Sequence, residues 1–351
     1  MSDLASFLPW QHELATQWLS QRERFAHAWL VHGLPGIGKQ QFALAAAGSL
    51  LCEAPVNGHA CGACAACQWL KGGNHPDLRR IRPEALALEE GALQDAAGDA
   101  APGSATSKKQ PSKEIKVEQL RSLHNWFNTA THRGGWRVAV LYPAHAMNTI
   151  TANALLKVLE EPPAHTIFLL VADAPDRLLP TLVSRCRRLA LPVPSQGESL
   201  AWLKQEGVKE AELWLAAAGG APFRARQLAL TADHPYPAWL VQWLGDVAAV
   251  PAPNVGPLAD QLESQAPEVW IDTLQRAFFD LMLAANGAPL RYFPSLEKQI
   301  GAVGKRAFPG HLAEMAKWLA QQRAIANHPL NAKLFAHSAL QRAVLACAPM
   351  K

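Results

Sequence analysis

The chain has 351 residues, which is longer than one ordinary domain, so more than one domain is expected. Apolar residues make up 49% and charged residues 18%, proportions typical of globular proteins with a substantial core. A net charge of +4 argues against a dedicated basic face for nucleic acid, and the sequence shows neither a secretion signal at its start nor an apolar run long enough to span a membrane, so we expect a cytoplasmic protein.

The first motif along the chain is a glycine-rich loop between a predicted strand and a predicted helix. Residues 29–31 form a short apolar run typical of a buried strand, and the Ala-rich residues 40–51 favour a helix. The loop at 33–39 fits the P-loop pattern G-x-x-x-x-G-K, in which backbone N–H groups and a lysine surround phosphate. The predicted nucleotide-binding residues are Gly33, Gly36, Gly38 and Lys39.

Both magnesium ligands of a working P-loop ATPase are missing. The position after Lys39 is normally Ser or Thr, whose hydroxyl binds magnesium, and here it is Gln40. The strand that ends at Leu141 is normally followed by a magnesium-binding acid, and here Tyr142 and Pro143 follow. We therefore expect no ATP hydrolysis by this chain. The sequence leaves open whether the loop binds nucleotide weakly or not at all.

Four cysteines follow the P-loop helix in a pattern typical of a zinc site. Cys52, Cys61, Cys64 and Cys67 include two C-x-x-C pairs, and the lack of an export signal favours metal over disulfides. Four thiolates fill a tetrahedral zinc shell and leave no open position, so the expected zinc is structural. Cys186 and Cys347 are distant in sequence and are expected to pack in cores.

The rest of the first domain is expected to alternate between strands and helices. Residues 84–113, rich in Ala, Gly, Ser and Asp, are predicted to be a flexible surface insertion. The elements predicted after it are a helix at 117–130, a strand at 138–141, a helix at 152–161, a strand at 166–171, a short helix at 178–185 and a strand at 188–193. This α/β alternation predicts a parallel sheet covered by helices on both faces.

Beyond Pro194 the sequence pattern is helical only. Six tryptophans are expected to be buried between these helices: Trp202, Trp214, Trp239, Trp243, Trp270 and Trp318. Breaks at 219–220 and 251–253 separate a small helical segment from a larger one. The expected domains are an α/β P-loop domain at 1–193 with a zinc module at 52–67, a small helical domain at 194–240 and an all-α domain at 241–351.

Motifs between residues 27 and 186 together resemble the bacterial clamp-loader ATPases, a family of the AAA+ class. They are HAWLVHG at 27–33, the four cysteines, HPD at 75–77, NALLKVLEEPP at 153–163 and SRC at 184–186, in the family's order. The resemblance implies an AAA+ domain followed by a lid domain and a collar domain that holds the assembly together. Because the magnesium ligands of the motor subunits are missing, the chain is similar to the family's non-motor subunit.

The resemblance also implies a role for Arg185. In the family, the arginine of the SRC motif is an arginine finger supplied in trans to ATP on a neighbouring subunit, where its planar charged group matches the phosphate. The implied partners are motor subunits of the gamma/tau type and the clamp-opening delta subunit in a hetero-pentamer, with the sliding clamp and primed DNA reached through the complex and no membrane. The chain is then part of a DNA polymerase holoenzyme and no enzyme in isolation.

Several alternatives stay open at this point. The family's two nucleotide-sensing positions fall at Ala172 or Asp173 and near Phe223–Arg224, and the sequence does not choose the register. An active motor ATPase is a rival function, which the P-loop lysine favours and the missing magnesium ligands disfavour. A zinc-containing DNA-binding module is a second rival, which the low net charge and the single lysine in the cysteine loop disfavour.

Overall fold

The computed structural model describes residues 4–91, 111–127, 129–132, 135–249, 253–326 and 331–348. The chain divides into two compact units, Met1–Glu198 and Ser199–Lys351. The predicted division of the helical part into segments at 194–240 and 241–351 stays a prediction.

A five-stranded parallel sheet forms the centre of the first unit. Its strands are β1 (Ala28–His32), β2 (Leu78–Ile81), β3 (Arg137–Leu141), β4 (Thr166–Ala172) and β5 (Arg187–Ala190). They lie in the order β2-β3-β4-β1-β5, and every neighbouring pair is parallel. The order places β1, which leads into the P-loop, between β4 and β5.

Side chains of the central strands alternate between two hydrophobic cores, one on each face of the sheet. In β1, Trp29 and Val31 belong to one core, and Ala28 and Leu30 belong to the other. The same alternation runs through β3 and β4, because successive residues of a strand point to opposite faces. Strands buried on both faces need continuous apolar runs, which is why these three were predicted from the sequence.

Helices cover both faces of this sheet, as the α/β pattern predicted. They are α1 (His12–Leu19), α2 (Lys39–Leu51), α3 (Ala65–Lys71), α4 (Glu84–Glu89), α5 (Val117–Phe127), α6 (Thr149–Glu160) and α7 (Pro180–Val183). The buried residues of α2 pack into the core that contains Val31, and those of α5 and α6 pack into the opposite core. The predicted fold class, a P-loop domain with a parallel sheet followed by helices, is confirmed.

Two expectations for this unit need correction. Strand β2 was not predicted, because its two central residues, Arg79 and Arg80, interrupt the apolar pattern of an edge strand. The insertion predicted at 84–113 begins with α4, whose side chains make ordered contacts, so its start is helical. Residues 92–110 of that segment lie outside the described residues.

The described part of the second unit is all helical. The first helix, α8 (Gln196–Gln205), begins in the last residues of the first unit. The other helices are α9 (Ala211–Ala217), α10 (Pro222–Thr231), α11 (Ala238–Ala249), α12 (Gly256–Glu263), α13 (Pro267–Ala285), α14 (Glu297–Gly304), α15 (Pro309–Ile325) and α16 (Ala332–Ala346). Five of the six tryptophans expected to be buried are buried, whereas Trp318 is half-buried beneath the guanidinium of Arg342. None of the described helices combines the length and apolar character needed to cross a lipid bilayer.

A fully buried carboxylate fixes the loop that follows α13. Asp280 accepts hydrogen bonds from the backbone N–H groups of Arg291, Tyr292 and Phe293, at 2.9, 3.0 and 2.7 Å. We predict that Asp280→Ala lowers the free energy of unfolding by about 2–4 kcal/mol, because these N–H groups lose their acceptor. Urea denaturation measures the loss. As a control, Asp260→Ala removes a 56% exposed carboxylate and should change stability little, so equal losses would contradict the prediction.

Candidate nucleotide and metal sites

Several residues predicted from sequence motifs lie at the edge of the sheet where the strands end. Parallel strands end at the same edge, and ligands of open α/β sheets bind there. The residues that directly follow β1, β2, β3 and β4 at this edge are Gly33, Arg82, Tyr142 and Asp173. The edge therefore brings the P-loop together with Tyr142, which stands where an active ATPase has its magnesium-binding acid.

The P-loop has the backbone shape that its glycines predict. Gly36 and Gly38 have φ angles of 76° and 84°, in the left-handed region that favours glycine. A Cβ at Gly38 would also collide with Leu8, which packs against the loop. The buried side chain of Gln11 donates to the carbonyl of Gly38 at 2.9 Å. The segment before α1 thus holds the loop in place.

The P-loop lysine is paired inside the protein. Lys39 Nζ lies 2.7 Å from Asp173 Oδ1 and donates to the carbonyl of Leu34 at 2.5 Å, with its side chain only 4% exposed. Ala172 and Asp173 are the two alternatives for the first sensing position. Asp173 contacts this lysine, whereas Ala172 is the buried last residue of β4. A phosphate group would have to compete with the Asp173 carboxylate for Lys39.

The two positions that should hold magnesium contact a glutamate instead. Gln40 Nε2 donates to Glu90 Oε1 at 2.7 Å, and the Tyr142 hydroxyl donates to Glu90 Oε2 at 3.0 Å. Arg82 Nε lies 2.8 Å from the same Oε2, and the Arg82 side chain is 3% exposed. One carboxylate from the end of α4 thus connects the P-loop helix with the residues after β2 and β3.

Arg82 and Glu90 are site residues that the sequence analysis missed. Arg82 follows the strand that was not predicted, so nothing marked it as lying at this edge. Glu90 lies in the segment that its composition assigned to a flexible insertion. Its hydrogen bonds with Gln40 and Tyr142 join residues 50 and 52 positions apart in the chain, which no local pattern reveals.

Arg185 lies just after α7, at the surface of the first unit. Its Nη2 is 2.5 Å from Oε1 of Glu160, the last residue of α6, and its Nη1 donates to the carbonyl of Thr181 at 2.9 Å. The side chains of Arg185 and Glu160 are 36% and 51% exposed. The guanidinium therefore contacts two neighbours and is still partly open to solvent.

The lid arginine predicted to sense nucleotide pairs within the second unit. Arg224 Nη2 lies 2.8 Å from Asp272 Oδ2 on α13, and Phe223 stacks on Trp202 with ring centroids 6.3 Å apart. Asp272 also pairs with Arg276 and Arg323. The nucleotide-sensing role of Phe223–Arg224 stays a prediction.

The four cysteines predicted to bind zinc are brought together. All four Sγ atoms lie within 4.8 Å of one another, with Cys52–Cys64 at 3.8 Å and Cys61–Cys67 at 4.0 Å. Zinc–sulfur bonds of about 2.3 Å place the corners of a tetrahedron roughly 3.8 Å apart. The cluster therefore has the size and ligand type of a four-coordinate metal site.

Backbone N–H groups further prepare this cluster for a metal. The amides of Ala63 and Cys64 point at Cys61 Sγ and lower the pKa of that thiol to about 6, whereas burial raises the pKa of Cys67. Cys52 directly follows α2, so the loop that carries the four cysteines is joined to the far end of the P-loop helix. Cys186 and Cys347 are buried away from the cluster, as expected.

Comparison with known proteins gives a consistent result. Residues 11–195 match the family model described as DNA polymerase III, delta subunit. The chain is 34% identical to DNA polymerase III subunit delta′ of Pseudomonas aeruginosa over 91% of each chain, and 33% identical to that of Escherichia coli over 56% of this chain and 52% of that one. It is also 33% identical to subunit tau of Salmonella typhimurium, over 48% of this chain and 22% of that one.

Proposed function

This chain belongs to the family of DNA polymerase III delta′ subunits, and from that premise we propose that it is a non-motor subunit of a clamp-loading assembly. Its partners are motor subunits of the gamma/tau type and a clamp-opening delta subunit, and the sliding clamp and primed DNA are reached through the assembly. The chain supplies Arg185 to ATP bound by a neighbouring motor subunit. It hydrolyses no ATP itself.

The observation that carries this proposal is the pair of contacts at the magnesium positions. Gln40 and Tyr142 direct an amide N–H and a hydroxyl toward Glu90, where an active ATPase directs oxygen ligands toward magnesium. Without magnesium, the charge that develops on the transferred phosphoryl group is not neutralised. The ion pair between Lys39 and Asp173 removes a second contact that nucleotide phosphates would need.

Arg185 supports the second half of the proposal. A guanidinium presents N–H groups in a planar fork that matches a phosphate, and it stays charged at every physiological pH. Glu160 occupies that fork in the isolated chain. At an interface, a nucleotide phosphate replaces or joins this carboxylate as an acceptor for Arg185.

A motor ATPase is the less favoured alternative. The tau relative matches only 48% of this chain, whereas the delta′ relative from Pseudomonas aeruginosa matches 91%. The P-loop glycines keep the backbone shape that a motor's phosphate loop needs. This shape alone does not favour a motor, because Gln40 and Tyr142 stand where the magnesium ligands are expected. A DNA-binding zinc module is disfavoured by the same relatives and by the net charge of +4.

We further propose that the cysteine cluster binds one structural zinc ion. Four thiolates leave no open coordination position, so the ion would hold the loop and supply no catalytic water. Cys52 at the end of α2 and Cys67 within α3 are the two buried ligands, and they would tie these helices to one ion. The zinc would stabilise the end of the P-loop helix opposite the P-loop.

The isolated chain should show no ATPase activity above background, with or without primed DNA. Lys39→Ala should leave that rate unchanged, because the wild-type loop turns over no ATP. A coupled assay of released phosphate, with the protein at micromolar concentration, measures both rates. A turnover in the wild-type chain that disappears in Lys39→Ala would overturn the proposal in favour of a motor subunit.

A further inference from the structure

A glutamate contacts both residues that stand at the magnesium-ligand positions of a P-loop ATPase. Glu90 extends from the end of α4, and its side chain is 20% exposed. Both of its oxygens are engaged, Oε1 by the Gln40 amide at 2.7 Å and Oε2 by the Tyr142 hydroxyl at 3.0 Å and Arg82 Nε at 2.8 Å. The three contacts come from three separate parts of the fold, so the carboxylate lies at their meeting point.

The groups that contact Glu90 are hydrogen-bond donors or cations, and none of them directs a lone pair toward the carboxylate. A carboxylate only accepts, so the Gln40 amide must present its NH₂ group to Oε1. Burial raises the pKa of the Tyr142 hydroxyl, which therefore stays protonated and donates. Arg82 carries a permanent positive charge and is almost fully buried. A magnesium ion needs the reverse arrangement, namely oxygen lone pairs from carboxylates, hydroxyls or water.

We propose that the magnesium position of this P-loop domain has become an anion site, and that Glu90 is its built-in occupant. The substitutions at Gln40 and Tyr142 then do more than remove two ligands. They convert the surroundings of a cation into the surroundings of a carboxylate, so magnesium–nucleotide is excluded because hydrogen-bond donors stand where the ion needs lone pairs. This inference deepens the proposed function and rests on its premise that the chain is not a motor.

The arrangement also gives Glu90 a structural role. The carboxylate neutralises the buried Arg82 and links α4 to the residues after β2 and β3. Removing it takes away one ion-pair partner of the buried Arg82 and the acceptor used by Gln40 and Tyr142, so we expect a loss of stability. A small carboxylate that enters the vacated space should restore part of the loss, because the two hydrogen-bond donors and the Arg82 charge remain.

Thermal unfolding of Glu90→Ala in sodium acetate and in sodium chloride, at pH 7 and equal ionic strength, tests this proposal. In chloride we expect the Tm to lie about 5 °C below that of the wild type. Acetate should recover a measurable part of this shift in Glu90→Ala and leave the wild type unchanged. Glu90→Gln keeps the shape and removes the charge, and it should lose Tm without recovering it in acetate, since its amide still fills the space.

Glu89→Ala serves as the matched control, because Glu89 is an exposed neighbour on the same helix. Its Tm should equal that of the wild type in both salts. The same chains are then titrated with a fluorescent ADP analogue in the presence and absence of magnesium. Neither Glu90 variant should gain magnesium-dependent binding.

Two outcomes would overturn the anion site. One is equal Tm values for Glu90→Ala in acetate and chloride. The other is magnesium-dependent ADP binding by the wild type that Glu90→Gln abolishes, which would make Glu90 a replacement magnesium ligand. If acetate does not raise the Tm of Glu90→Ala, the anion site is wrong but the proposed function is unaffected. That function is tested separately by ATPase assays of the chain and its assembly.

Discussion

Replacing Arg185 by alanine should slow ATP hydrolysis at the neighbouring site of the assembly by a large factor. Arginine fingers contribute roughly 10³–10⁵ in rate where a single finger dominates, because they neutralise charge that develops in the transition state. In the proposed assembly, several subunits bind ATP and this chain borders one of those sites. Total ATPase activity should therefore fall only in part, while clamp loading, which needs coordinated sites, should fall further.

The control for this substitution is Arg188→Ala. Arg188 is an exposed arginine of β5, three positions further along the chain. Arg187 is less suitable, because its guanidinium lies over the ring of the buried Trp29 at 5.1 Å and its loss would disturb packing. Gel filtration must first show equal assembly of both variants. If assemblies with Arg185→Ala hydrolyse ATP and load clamps at wild-type rates, Arg185 is an ordinary surface arginine. The chain would then contribute to the assembly only as a scaffold.

Cys64→Ala should abolish tight zinc binding and lower stability by several kcal/mol. Binding of a structural zinc ion is coupled to the folding of its loop, so the loss of one ligand removes binding energy that the fold uses. The wild-type protein, purified under reducing conditions without chelator, should contain about one zinc per chain. Elemental analysis and chemical denaturation measure the two effects on the same samples.

Cys186→Ala is the matched control for the metal site. Cys186 is buried in the same unit and lies outside the cluster. Its replacement should cost stability through lost packing alone and leave the zinc content at the wild-type level. A wild-type protein without zinc, or a Cys64→Ala variant that keeps it, would contradict the proposed site.

The parts of the fold that could be predicted are those whose signal is local. Strands β1, β3 and β4 are buried on both faces and need unbroken apolar runs, which the sequence shows directly. Strand β2 lies at the sheet edge, where only Ile81 is buried, so its residues carry no such run. A search based on hydrophobic pattern therefore missed β2, although it did predict a strand at 188–193, where β5 forms the opposite edge.

The same distinction explains which site residues were found. The P-loop and the four cysteines are short motifs whose chemistry follows from spacing. The contacts of Glu90 with Gln40 and Tyr142 depend on how distant segments meet at the sheet edge. The pairing of Lys39 with Asp173 depends on the register between β1 and β4, which the sequence alone did not define.

The contacts with Glu90 give Gln40 and Tyr142 a chemical role that the sequence did not show. From the sequence, Gln40 and Tyr142 are recognised only as residues that replace the magnesium ligands of an active ATPase. In the structure, they are donors to a new carboxylate partner. These contacts around Glu90 are therefore better described as a polar cluster in their own right than as the remnant of a magnesium site.

The central claim is that this chain acts on a neighbour's ATP and not on its own. One measurement tests it most directly: DNA- and clamp-stimulated ATPase and clamp loading by assemblies that carry either Lys39→Ala or Arg185→Ala in this chain alone. The account predicts wild-type values with Lys39→Ala and reduced values with Arg185→Ala. Reduced values with Lys39→Ala and wild-type values with Arg185→Ala would contradict it, because the chain's own P-loop would then be the working site.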